Sequence, residues 1–479
     1  MILCLVAVYL LAMIPGSAPD ILTEADNPPF EWDQSNYWKS LERAFHQARK
    51  LGCPALRSAI SAESAATREV LEQIEAGKPG VDDPMWRRLE KTIFELAPKV
   101  AVCPDRAPEF KRVVAQTRKI VKQRSREFDM STSEAKSWVY RLLYGSRTAL
   151  EEVLIQHGAD GETGLQDGSS MQLATPHAQV LGVTVHSGDL LLSRGGAPTS
   201  ALIARGSDYP GNFSHVALVH VGETGRVSII EAHIEQGVAV ASVDKYLADT
   251  KLRIMLLRLR NDLPAVVADP MLPHKAATRA LERAQREHIP YDFAMNLGEA
   301  GKLFCSEVAS DAYKQEGISL FLALSSISDP LLKRWLRDFG VQHFKTQGPS
   351  DLEYDPQLVV VKEWRDPGAL AKDRLDNAVL DARIAEAAEA RGLDYNPFLL
   401  PFARGAKLYS MLLNAAGRVG PVPEGMGARA AIINQRFTAD HKKIARETVR
   451  LAEDFQKTRG YVPPYWELVG MAREVVRSY

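Results

Sequence analysis

Two segments far apart in the chain carry residues that could do chemistry together. Leu303-Phe304-Cys305-Ser306-Glu307-Val308-Ala309-Ser310 places a cysteine ahead of a run with helical spacing. Gly211-Asn212-Phe213-Ser214-His215-Val216-Ala217-Leu218-Val219 places a histidine where a polar loop becomes an apolar run. A thiol attacks a carbonyl only as thiolate. Its pKa, about 8.5 when free, falls to about 3.5–7.5 beside an imidazolium at a helix start. The backbone N–H at such a start lacks an intrahelical partner and is free to hold an oxyanion. Each residue also has an ordinary reading, as a buried helix-start cysteine and a core histidine. If the two meet in space, the chain is a cysteine hydrolase or acyltransferase.

An imidazole base must be oriented by a third group. Alternation puts His215 on one face with Ala217 and Val219. The next apolar run, Val227 to His233, carries Glu231 and His233 two residues apart and so on one face. A hairpin turn over Gly222 to Gly225 brings that face beside His215. Glu231 is preferred as orienter, because a carboxylate fixes the tautomer and stabilises the imidazolium. His233 is the alternate, and whichever is not used lines the cleft.

Short β-type runs surround these segments at 189–193, 216–221, 227–233, 254–259 and 358–362, with helices expected over 275–288 and 303–315. They define an α+β domain at about 170–366. A polar, Gly-rich linker from His157 to about Ser170 precedes it. Residues 25–158 read as a helical domain, from the three- and four-residue recurrence of Trp38, Leu41 and Phe45, then of Trp86, Leu89 and Ile93, then of Phe110, Val113 and Val114. Ser131-Thr132-Ser133-Glu134 has capping-box spacing ahead of Trp138 and Leu142. Residues 370–479 return to helix, with Leu375 to Ala388 ending at Gly392, a Pro/Gly loop at 418–427 and a further helix over 428–457. The aromatic loop Tyr461 to Trp466 is expected to pack against the central domain.

Several classes are disfavoured by composition. The chain has 479 residues, 46% hydrophobic and 25% charged, with 59 basic and 60 acidic residues for a net charge of −1. Such a balance leaves no electrostatic footprint for nucleic acid. Neither Cys-x-x-Cys nor His-Glu-x-x-His occurs, so no metal and no cofactor is implied. Met1 to Ile14 is almost wholly apolar and small residues follow to Ala18. Residues 1–18 therefore read as a cleaved export signal, with an uncleaved anchor giving membrane association through the N-terminus as the alternative. The expected location is periplasmic or elsewhere in the cell envelope. Of the four cysteines, Cys4 lies within that run. Cys53 and Cys103 could pair in an oxidising compartment, worth about 4 kcal/mol by the chain-entropy relation. Cys305 is then the free thiol.

The motifs taken in order resemble one family. They are Gly188-Asp189-Leu190-Leu191-Leu192, Ser214-His215-Val216-Ala217-Leu218-Val219, Ile230-Glu231-Ala232 with Gly237-Val238, Pro290-Tyr291-Asp292-Phe293, and Phe304-Cys305-Ser306-Glu307-Val308. Together they are similar to the permuted papain-like amidases, the circularly permuted NlpC-type cysteine hydrolases of the YiiX/YebB-like group. In these the His strand precedes the Cys helix. The resemblance covers about residues 170–365 and implies an antiparallel sheet with a catalytic helix. It implies Cys305 as nucleophile, His215 as base and Glu231 as third member, with Tyr291 and Asp292 at the cleft and Asp189 holding a turn. Substrate contact is expected from Tyr291, Asp292 and His233. The substrate expected is a cell-wall (peptidoglycan) peptide amide. A lipid acyl ester or amide is the alternative, and a non-catalytic binding protein of the envelope is the reading from another class. The oligomeric state and the role of the helical flanks stay open.

Overall fold

The computed structural model describes residues 9–14, 20–22, 30–32, 35–158, 166–387, 393 and 395–478. The expected signal segment, the linker and the end of the Leu375–Gly392 helix therefore lie partly outside the described residues. Five helices form the N-terminal region: α1 (Ser35–Leu51), α2 (Cys53–Gly77), α3 (Met85–Val100), α4 (Ala107–Arg124) and α5 (Ser133–Gln156). Their apolar stripes, including Val70, Leu71, Trp86, Leu89, Phe110 and Leu142, close into one core. Gly52, at φ 73°, turns the chain between α1 and α2, and Pro54 sits in the first turn of α2. The cap of α5 is Thr132, whose hydroxyl accepts the Ala135 N–H at 3.3 Å. That is one residue beyond the position the Ser131–Glu134 spacing marks. A disulfide joins Cys53 to Cys103, with Cα atoms 5.0 Å apart.

The centre is a seven-stranded antiparallel sheet. Its strands are β1 (Gln166–Asp167), β2 (Leu190–Gly195), β3 (His215–Val221), β4 (Val227–His233), β5 (Gly237–Ser242), β6 (Lys251–Leu259) and β7 (Leu358–Arg365). The spatial order is β1-β7-β6-β2-β3-β4-β5. Both faces are covered, so the strands read as near-continuous apolar runs. One face buries Leu190, Leu192, Val216, Leu218 and Ile230 against the helix that begins at Cys305, α6 (Cys305–Lys314). The other buries Leu191, Ala217, Val219 and Ile229 with Tyr246 and Leu256. This is the α+β architecture the motif order implies.

Four longer helices follow: α7 (Pro367–Ala387), α8 (Leu400–Ala415), α9 (Ala428–Arg459) and α10 (Tyr465–Arg477). The Tyr461–Trp466 loop packs mainly on the helical flanks and meets the central domain at one point, where the Tyr465 hydroxyl and Arg205 share Asp381 at 2.7 and 2.8 Å. The Tyr461 and Trp466 rings each lie 5.7 Å from Phe45 of α1, and Arg49 stacks over Tyr461 at 4.3 Å. The loop thus ties the two helical flanks to each other rather than to the sheet.

Buried charges bind the flanks to the sheet. Arg118 of α4 reaches Glu353 at 3.1 Å and Glu363 of β7 at 3.0 Å. Arg147 of α5, fully buried, also pairs with Glu353. Arg253 of β6 joins Glu151 of α5 at 2.8 Å and Asp373 of α7 at 2.7 Å. Charges placed so deep are stable only while partnered, and removing one partner typically costs about 3–5 kcal/mol. Arg147→Met keeps the volume and strands part of the carboxylate charge. Urea unfolding should show a loss of about 3–5 kcal/mol. A change below about 1 kcal/mol would mean the network adds nothing beyond packing.

Candidate active site

The loop leading into β3 is clamped before the histidine appears. The Tyr140 hydroxyl of α5 donates to the Pro210 carbonyl at 2.7 Å, and Arg147 donates to the Asn212 side-chain oxygen at 2.9 Å. The Ser350 hydroxyl accepts the Phe213 N–H at 3.0 Å, and the Ser214 N–H bonds the Ser193 carbonyl at 2.9 Å. His215 then opens the strand. None of these clamping residues was recognisable from sequence, because their partners lie far away along the chain.

Antiparallel register sets Glu231 opposite Ala217. His215, Glu231 and His233 therefore share one face at one end of the β3–β4 hairpin. Glu231 bridges the two histidines: one carboxylate oxygen is 2.7 Å from His215 Nε2 and the other 3.1 Å from His233 Nε2. Glu231 thus lies within hydrogen-bond reach of His215, with His233 as its second partner.

Cys305 is the first residue of α6, and it is buried and free. Val308, Ala309 and Ala312 seat α6 on the even-numbered residues of β3 and β4, whereas His215 belongs to the odd-numbered set. The pair accordingly meets at the end of β3, first residue of helix to first residue of strand. The thiol lies close enough to the His215 ring and to the Val216 N–H for both to favour its charged form. With Nε2 committed to Glu231, Nδ1 is the nitrogen left for sulfur. Burial opposes both charges. Their mutual interaction outweighs it, lowering the Cys305 pKa and, with Glu231, raising that of His215 to about 9. For Glu231, burial is likewise outweighed by two imidazole partners, which hold it well below the usual carboxylate range.

Tyr291 stands against the sulfur. Burial first, then the Cys305 charge, pushes its hydroxyl well above the ordinary tyrosine range, so it stays protonated as a donor. Its position follows from backbone bonds. Val238 N–H bonds the Ile289 carbonyl at 2.9 Å, and Leu303 N–H bonds the Pro290 carbonyl at 3.1 Å. Gly237 permits that approach: at φ 75°, a Cβ there would collide with the Ile289 carbonyl. Asp292 lies beside Tyr291, but both its oxygens accept backbone N–H groups, from Ala294 at 2.9 Å and Asn296 at 2.6 Å. It is committed to shaping its own loop. Asp189 has the comparable position expected of it, accepting the His186 N–H at 2.7 Å and pairing with buried Arg258 at 2.7 Å.

Sequence reasoning passed over Glu307, two residues after the cysteine. It accepts the Phe304 N–H at 3.2 Å, which fixes the helix start, and burial pushes its carboxyl up to about 7. A cavity of about 650 Å³ opens beyond Tyr291, Asp292 and Phe293. Leu400 and Arg404 of α8 and Gly425 form its opposite side. Among described residues, the grouping with metal-ligand proximity is Cys53, Cys103 and Asp105, and its two cysteines are bonded to each other.

A His strand that precedes a helix-start Cys, on an antiparallel sheet, is the permuted order of a papain-like site. Residues 184–361 match the family model described as permuted papain-like amidase enzyme, YaeF/YiiX, C92 family. Over that segment the chain is similar to this family of amidases, which are hydrolases by class. A search of the curated proteins returned no match.

Proposed function

We propose that the protein is a cysteine amidase working through Cys305, His215 and Glu231. The observation that carries this reading is the placement of His215 between the Cys305 thiol and Glu231, with Glu231 at 2.7 Å from Nε2. Cys305 thiolate attacks the amide carbonyl. The backbone N–H of Cys305 and the Tyr291 hydroxyl receive the oxyanion. His215 gives its proton to the departing amine, and water then hydrolyses the thioester with His215 as base. His233 and the cavity beyond Tyr291 take the rest of the substrate.

The proposed substrate is a peptide amide of the cell wall, met outside the cytoplasm. The Cys53–Cys103 disulfide supports an oxidising compartment. A lipid acyl ester or amide is the second reading, favoured by the apolar helix α8 that edges the cavity.

Iodoacetamide labelling of Cys305 against pH tests the chemistry. Rapid labelling well below pH 8 is expected, and His215→Ala should shift its midpoint up toward the ordinary thiol value of about 8.5. Labelling that rises only near that value in both proteins would leave an unactivated thiol and favour a binding role. Peptidoglycan fragments and acyl esters, offered side by side, then separate the two substrate readings.

A further inference from the structure

Helix α8 is apolar on the side that faces away from the protein. Phe402 is 68% exposed, Leu408 61%, Tyr409 56%, Met411 57% and Leu412 66%. At 100° per residue these five fall within one half of the helix circumference, and Arg404 is the one charged residue among them. Exposed side chains of this size rarely cluster on soluble surfaces, and a contiguous patch marks an interaction site. Phe398 and Leu399 extend it before the helix, and Val419 after it. The described part of the N-terminal run continues it further. The Tyr9 hydroxyl donates to the Phe398 carbonyl at 3.0 Å, and Arg404 donates to the Ala12 and Ile14 carbonyls at 2.8 Å.

Charge indicates what covers this face. No acidic residue occurs from Tyr395 to Pro423, although acids are plentiful elsewhere, whereas Arg404, Lys407 and Arg418 all lie there. An apolar helix face with a purely cationic accompaniment is the composition of an element lying in a lipid interface. The helix has 16 residues, short of the ~20 a bilayer span needs. No described helix is long and apolar enough to cross a membrane. We infer that α8 docks flat on a bilayer carrying anionic headgroups, with its Phe402–Leu412 face in the acyl boundary and Arg404 and Arg418 at the headgroups, while Lys407 is tied to the Pro423 carbonyl at 2.9 Å. Because Leu400 and Arg404 of the same helix line the cavity beside Tyr291, docking sets that cavity at the lipid surface.

The test is flotation of the full chain with phosphatidylcholine vesicles, with and without phosphatidylglycerol. Wild type should float with the anionic vesicles. The Leu408→Glu/Leu412→Glu variant should lose at least about tenfold in partitioning, and Arg418→Glu should weaken binding mainly to the anionic vesicles. Both positions of the double variant are exposed, so its melting temperature and Cys305 labelling should match wild type, which separates failure of docking from failure of the amidase reading. The proposal falls if wild type ignores both vesicle types. It also falls if the double variant binds normally while Leu10→Glu/Leu11→Glu does not, since binding then belongs to the N-terminal run. A dimer that the α8 variant converts to monomer, without vesicle binding, would assign the face to a second copy and overturn it equally.

Discussion

Replacing Cys305 with Ala should lower turnover of an amide substrate by about 10⁵–10⁶-fold, the scale on which removing a catalytic nucleophile acts. The proposed mechanism makes the sulfur the attacking atom. His215 and Glu231 remain in place without it, but have nothing to activate. The substitution removes a single buried atom from the start of α6, where Val308, Ala309 and Phe304 keep their packing. Stability should therefore change by about 1 kcal/mol or less. Cys305→Ser is the sharper form of the same test. It keeps the shape, but a hydroxyl does not ionise in the field that lowers the thiol, so activity should fall nearly as far. Hydrolysis of the natural amide at above about one hundredth of the wild-type rate, in a folded Ala variant, would exclude Cys305 as nucleophile. The chemistry would then have to be sought elsewhere, for instance at Glu307, whose pKa of about 7 suits proton transfer.

What was legible in the sequence divides by the range of the physics involved. Cys305 and His215 announce themselves because helix starts and strand starts are local events. Glu231 follows from them by a period of two along one hairpin, and the observed register bears out that face-sharing. Tyr291 was placed near the cleft by resemblance alone. Its actual restraint, two backbone bonds and a glycine that lets β5 approach, lies in contacts between distant segments. Helix α2 was passed over because its run of Ala, Ser and Glu gives a weak apolar period. Helix α8 was passed over for the opposite reason: its apolar residues look outward, so burial did not impose the usual polar alternation. The charges of Arg147, Glu353 and Glu363 count in composition as ordinary solvated residues, yet they are buried and link the helical flank to the sheet. Nothing local distinguishes a buried ion pair from an exposed one. The Tyr461–Trp466 loop shows the same gap, since aromatic content signals burial without naming the surface that provides it.

Glu231→Gln should cut kcat/KM by about 10⁴-fold while leaving the fold intact, by analogy with amide-for-carboxylate replacement in other triads. The carboxylate accepts from His215 Nε2 at 2.7 Å and from His233 Nε2 at 3.1 Å. An amide of the same shape can accept only through its oxygen. If its NH₂ turns to His215, Nε2 must become an acceptor and the ring proton moves to Nδ1, the nitrogen that faces sulfur. The imidazole is then the wrong tautomer to take the thiol proton. Loss of the charge acts in the same direction. His215 keeps its proton up to about pH 9 because the thiolate and Glu231 outweigh the cost of burying the cation. The imidazolium is thus present below that value and lost above it, which puts the alkaline limb of kcat/KM near 9 in wild type. Without Glu231 the limb should move down, toward the ordinary histidine value of about 6.5. A purely structural glutamate would reduce the rate without moving the limb. Glu231→Asp restores charge at shorter reach and should recover part of both the rate and the limb, whereas His233→Ala, which spares the 2.7 Å bond, should cost far less. If the Gln variant keeps its alkaline limb near 9 and loses less than about tenfold in rate, then Cys305 and His215 form a working pair that needs no third member.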